Sequence, residues 1–350
     1  MKTYLKYNLM ALLFLFALNG QARQMTEATK VINKTYKVTA ATGLSIRNSY
    51  GNVHVNTWEK AEFSIKVDVI ARAGSEEKAH RILDQITIDI NESGAEIAFL
   101  TQLDKVATRS NEEMEINYTV FMPIENPLRI KNSFGDMYVD NRRGESNLEI
   151  AYGSLKAGEL TNSNQLKVSF GSADILRIEK GEAIFKYSKI SIESAGTLKL
   201  GQHFSEVELE EVGTLDLESR FGSVWLGKSG RIDADVEHSK FEIGELNQSL
   251  QMDAAFVSNF KIGLLRKEFE LVDITGKYGS YNLNLESGVR SLFEGTFRFA
   301  DLRDSEGLID FNYKIRDMNL NEYKGRIGAG NTSKLIRISS SYGDCKIRQE

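Results

Sequence analysis

The sequence predicts an all-β chain wound into a parallel β-helix, and three observations carry the prediction. An aromatic residue followed by Gly or Ser, one spacer and two apolar residues one apart recurs along most of the chain. Over a long stretch the copies stand 17 or 18 residues apart, a regularity that belongs to structure. Only 2 prolines occur against 28 glycines, and Val, Ile, Leu, Phe and Tyr alternate in short runs between Gly, Ser and Asn, which is strand-and-turn composition. A net charge of −5 with 27% charged residues fits an ordinary folded protein and gives no bulk argument for nucleic acid as a partner.

In chain order, residues 1–22 read as a secretory signal peptide. Lys2 and Lys6 precede an apolar run from Leu9 to Leu18, and Asn19-Gly20-Gln21-Ala22 supplies the small-residue end, with cleavage expected after Ala22. The run is about half of the ~20 residues a helix needs to cross a bilayer, and no later stretch is apolar enough to anchor the chain. A soluble, exported protein is expected, in the periplasm or at the cell surface. Cys345, the only cysteine, is far from the cleavage site, so the sequence offers neither a lipid-attachment cysteine nor an internal disulfide.

Residues 23–58 read as N-terminal strands and a first coil, which carries the first copy at Tyr50. The array proper, 129–350, has its aromatic positions at Phe134, Tyr152, Phe170, Tyr187, Phe204, Phe221, Tyr278 and Tyr342, with His238 in the aromatic slot of one copy. Phe256 heads a copy with one extra residue. An apolar residue sits four positions earlier in each, from Ile46 and Ile130 to Ile274 and Ile338. Each unit thus holds short strands around a tight corner, with alternate side chains inward. Stacking coils ~4.8 Å apart makes a rod, and each coil's Leu, Ile and Val are buried only by its neighbours. The small residue after the aromatic is expected to relieve crowding at the corner and to adopt its unusual backbone angles. A right-handed winding follows the general preference of parallel crossovers.

Between these regions, residues 59–128 interrupt the period and read as an inserted capping module of strands with one helix. The helix begins after Ser75, with Glu76 and Glu77 in its first turn. Residues 104–115 read as a polar loop, and 303–324 lose the register before it returns at Leu335.

These residues resemble a known group, the bacterial β-strand-repeat family of unknown function labelled presumed adhesins and related to the head-GIN type. The resemblance rests on the signal peptide, Asn48-Ser-Tyr50-Gly-Asn-Val53, Tyr118-Thr-Val-Phe-Met-Pro123, the Tyr/Phe-Gly copies, and Gly328-Ala-Gly-Asn with Ile336-Arg-Ile-Ser-Ser-Ser-Tyr342-Gly-Asp. It covers nearly the whole mature chain and implies a β-helical envelope or surface protein with no catalytic residues to carry over.

Many β-helices act on polysaccharides, so the outward columns are the place to look for chemistry. Three positions before the aromatic, Glu218, Asp235 and Asp253 follow one another in successive coils and form the best candidate cluster for catalysis or cation binding; their bland alternative is a solvated strip. One position before it, Lys186, His203, Arg220 and Glu237 form a ladder of exposed pairs or a sugar or anion subsite. Trp225 points outward between Val224 and Leu226 and could stack on a sugar. The four histidines, His54, His80, His203 and His238, lack metal-ligand spacing, no cofactor motif is present, and Cys345 reads as a buried structural thiol. The leading expectation is a non-enzymatic envelope or surface protein whose β faces bind an envelope protein or polysaccharide. The alternatives are a polysaccharide-processing enzyme, for which Glu218, Asp235 and Asp253 must converge in a groove, and a periplasmic accessory protein in envelope assembly or stress signalling.

Overall fold

A computed structural model describes residues 25–92, 95–104 and 111–350. The signal peptide expected at 1–22 lies outside the described residues. The expected β-helix is present: strands join into one continuous sheet, mostly parallel, in which each coil of the array pairs with the next. The strand Lys189–His203 shows why the sequence folds this way. Ile190 and Ile192 point inward, then Ala195, then Leu198, Leu200 and Gln202, all buried. The inward spacing lengthens from two to three residues on either side of Ala195. Residues 193 and 196 drop out of the pairing with the next coil, so the chain turns there while keeping an apolar side chain inward.

The third turn is the aromatic corner, and here the structure corrects an expectation. The aromatic residue itself adopts the left-handed conformation, with φ between 49° and 61° from Tyr50 to Tyr342. The glycine after it is needed for space: a Cβ on Gly171 would lie 1.9 Å from the Gly153 carbonyl oxygen, and one on Gly153 2.2 Å from that of Gly135. Where serine takes the slot, its hydroxyl works between coils. Ser188 Oγ accepts the Gly171 N–H at 3.4 Å and donates to the Lys186 carbonyl at 2.7 Å. The extra residue of the Phe256 copy is absorbed at Asn259, also left-handed at φ 59°.

At the N-terminal end, Gly43–Ser49 pairs in parallel with Leu128–Ser133 on one side and Glu96–Leu103 on the other, and Val53–Trp58 lies between Met137–Val139 and Glu113–Pro123. Glu62–Ala73 and Thr26–Lys37 then continue outward in antiparallel order. The helix Glu76–Asp84 buries Ala79, Ile82 and Leu83, and Ser75 accepts the Lys78 N–H at its start. The polar loop expected at 104–115 ends earlier, because Glu113–Glu115 already belong to the strand Glu113–Pro123; residues 105–110 lie outside the described residues. The buried Arg142 ties this region to the array by donating to the carbonyls of Pro123, at 2.7 Å, and Asn126.

At the other end the coils leave chain order. Leu335–Ser341 inserts between Leu271–Lys277 and Ser291–Arg298, and Cys345–Gln349 inserts between Tyr281–Leu285 and Leu302–Asp304. The segment expected to lose register is an antiparallel hairpin, Ile309–Arg316 with Leu320–Ile327, laid along Ser291–Arg298. An additional corner, Phe299, occupies the row after Tyr342.

Candidate functional site

Glu218, Asp235 and Asp253 are register partners in three consecutive strands. They converge on one open cleft of about 340 Å³, which Glu182, Lys199, His203, Asp216 and Asp233 also line. Its floor dips at Gly201, where nothing lies within 4 Å of the place a Cβ would take. Arg220 reaches across the strip. It makes a two-pronged bond to Asp235, at 3.1 and 2.8 Å, and lies 3.8 Å from Glu218 and 3.4 Å from Glu237. The side-chain bond to Asp235 is the largest influence raising the guanidinium above its ordinary range. The acidic strip therefore contains its own fixed cation. Lys199 stands 3.9 Å from Asp216 in a second, looser pair.

Further toward the N-terminal end, the same face carries the opposite charge. Arg47, Arg129 and Lys131 line a cleft of about 380 Å³, with Lys131 paired to Glu149 at 2.7 Å.

Trp225 does not join the acidic cleft. It belongs to another side of the coil, in the column of His54, Tyr138, Lys156 and Asp174, with Glu208 and Glu242 as its register partners. That column starts with a site the sequence reading passed over. His54, Asn56, Tyr138, Asp140, Asn141, Lys156 and the outward Leu176 line a cleft of about 540 Å³. Tyr138 rests against His54 with ring centroids 4.3 Å apart, and it remains 37% exposed. Asp140 is occupied by the Thr57 N–H at 3.2 Å, and Asn141 by the Glu159 N–H at 2.8 Å. Trp58 stacks on Phe121 nearby, at 5.4 Å. The legible signal was the adjacency of His54 and Tyr138 in one outward column, reinforced by an outward leucine at 176.

The corner aromatics form the longest surface feature. From Tyr50 through Phe134, Tyr152, Phe170, Tyr187, Phe204, Phe221, His238, Phe256, Tyr278 and Tyr342 to Phe299, neighbouring rings stack with centroids 4.5–5.1 Å apart and planes within 11°. Stacking covers the ring faces, so solvent meets mainly their rims. Sugar recognition by aromatics uses the face, and this ladder serves first to hold the corners.

The architecture and its lateral clefts define a class: a parallel β-solenoid with shallow sites on its outer walls. No family model matches the chain, and no curated protein matches it. Among solved structures, a presumed cell adhesion protein of Clostridium sporogenes is 11% identical over 93% of this chain and 100% of its own, with a TM-score of 0.19. A presumed adhesin of Parabacteroides distasonis is 8% identical over 73% of this chain and 97% of its own, with a TM-score of 0.34. One from Bacteroides fragilis is 13% identical over 92% and 97%, with a TM-score of 0.22. Scores this low transfer neither fold nor activity.

Proposed function

We propose that this protein is an exported, non-enzymatic binding rod that holds an extended glycan chain along its side. The observation that carries the reading is the His54–Tyr138–Lys156 cleft. A half-exposed tyrosine ring, an outward leucine, amide groups and an ammonium group share an open depression on the wall of a rigid scaffold. Apolar and aromatic surface with a few polar groups is what a sugar subsite requires, and an open side lets a polymer pass through. Export is supported by the signal-like residues 1–22.

Electrophoresis through gels cast with neutral and uronic-acid polysaccharides tests this. Retardation by one polymer class is expected, with about tenfold weaker binding for Tyr138→Ala and for Lys156→Ala, as for loss of a central contact. Unretarded migration in every polymer would refute it. Release of new reducing ends, abolished by Glu218→Gln, would replace it with the enzyme reading.

A further inference from the structure

The two oppositely charged clefts lie on one continuous face, remote from the tyrosine cleft. One outward column runs through Arg47, Lys131, Glu149, Lys167, Ile184, Gly201, Glu218, Asp235 and Asp253 to Thr275, one residue per strand in unbroken register. Its first rows are largely basic and its later rows acidic. At the changeover, the outward apolar Ile184 stands beside the empty notch above Gly201. A flat β face with a basic end, an acidic end, and a knob beside a hole at its middle is complementary to itself.

The geometry points to this face as the contact between two copies of the chain, packed face to face with their rods antiparallel. A two-fold axis lying in the face, along the strands and midway between the Ile184 and Gly201 rows, sets each row against the row equally distant on the other side. It places Ile184 over the partner copy's notch at Gly201, and Glu182 over Lys199. It places Lys167 over Glu218, and Lys131 over Asp253. Each contact occurs twice, as an isologous interface requires. The one like-charged meeting, Glu149 with Asp235, involves carboxylates already held within their own chain by Lys131 and Arg220, at 2.7 and 2.8 Å. A parallel arrangement would set like charges against like along the whole face, so charge alone selects the antiparallel one.

The size is adequate. Ten rows at ~4.8 Å and about five residues of strand at ~3.3 Å give a face of roughly 48 by 17 Å, or about 800 Å² per copy. That is the area a standard stable interface buries on each partner, about 800 Å². The polar character and central apolar knob suit an association that salt weakens.

Sedimentation velocity on the purified protein at low and high salt tests the pairing. A dimer is expected at about 50 mM salt, with its dissociation constant at least tenfold higher at about 500 mM. Lys131→Glu and Asp253→Lys should each run as monomers, and an equimolar mixture should restore a heterodimer, because the swapped charges then meet their opposites. Gly201→Leu starts from a Cβ position with nothing within 4 Å and fills the notch that would receive the partner copy's Ile184, so it should fold, as a melting profile checks, and remain monomeric. A wild-type monomer at about 100 µM in low salt would overturn the inference, leaving this face to an unrelated partner. A dimer indifferent to all three substitutions would overturn it too, as would charge variants that stay apart when mixed. The tyrosine cleft lies outside this face, so glycan binding and self-association stand or fall separately.

Discussion

Replacing Phe204 by alanine and by glycine separates the two opposing energies of the aromatic corner. Phe204 is 50% exposed, has φ 53°, and stacks on Tyr187 at 5.0 Å and on Phe221 at 5.1 Å. Removing the ring loses two stacking contacts of about 0.5–1.5 kcal/mol each. It also re-exposes roughly 100 Å² of ring surface, about 2.5 kcal/mol. Both variants therefore lose about 3.5–5.5 kcal/mol of packing. They differ in the backbone. Alanine keeps a left-handed cost of about 1–2 kcal/mol, which glycine relieves, while glycine adds about 0.5–1 kcal/mol of chain entropy. The expected order is therefore inverted from that of an ordinary strand, with Phe204→Gly more stable than Phe204→Ala by up to about 1.5 kcal/mol. Urea unfolding followed by circular dichroism, with the m-values compared first, reads the difference. A more stable alanine variant would refute the claim that the ring is retained against backbone strain.

Other substitutions test the packing at single atoms. Gly171→Ala would put a methyl group 1.9 Å from the Gly153 carbonyl oxygen and should unfold the coil or abolish soluble expression; Gly201→Ala meets nothing and should leave the melting temperature within a few degrees or raise it. Tyr281 Oη is buried without a hydrogen-bond partner, so Tyr281→Phe should stabilise by about 1 kcal/mol in the same urea assay, and a loss above that size would mean the hydroxyl is satisfied. Burial raises both Tyr118 and Tyr281 to about 12, above the ordinary 10.0, so the contribution of the neutral phenols is complete below pH 10 and is lost as pH rises through 12. The unfolding midpoint should therefore fall with pH above about 10, and less steeply in Tyr118→Phe. Cys345 is fully enclosed and burial pushes its thiol up, so a thiol reagent at pH 8 should label it only in denaturant.

The array was legible because its constraint repeats. The coils read from the sequence each place an inward apolar residue four before the aromatic, and all but that of Phe256, where Val257 follows, place Gly or Ser after it, so both marks survive in a single sequence. Phe299 carries neither, since Ala300 follows it and Gly295 stands four before it, with the rings of Phe293 and Phe297 occupying the space. The insertion of the Tyr342 coil ahead of Phe299 was illegible for a different reason: a periodic pattern identifies rows without stating their spatial order. At the acidic cleft, the column Glu218, Asp235 and Asp253 followed directly from the period. Arg220 sits one column over and spans fifteen residues to Asp235, a reach that depends on side-chain conformation. Trp225 was read as outward and is so, but the extra bends in each coil turn it to a different wall. The left-handed aromatics ran against the rule that glycine takes such angles, and only the continuous stack reveals what holds them there.

The insertion of residues 335–349 between two earlier rows gives assembly a direction. A chain made from its N-terminus can zip from Tyr50 to Tyr278 as it emerges, yet the row of Phe299 has nothing to join until the later strands arrive. In the finished fold Leu335–Ser341 is the parallel partner of both Leu271–Lys277 and Ser291–Arg298, so until it arrives each of those strands lacks that partner. Such unpaired edges admit any extended segment of suitable pattern, including the same segment from a sister molecule, so the late strands act as a keystone whose delay invites exchange. Closure of the far end thus reports that the whole array has been completed.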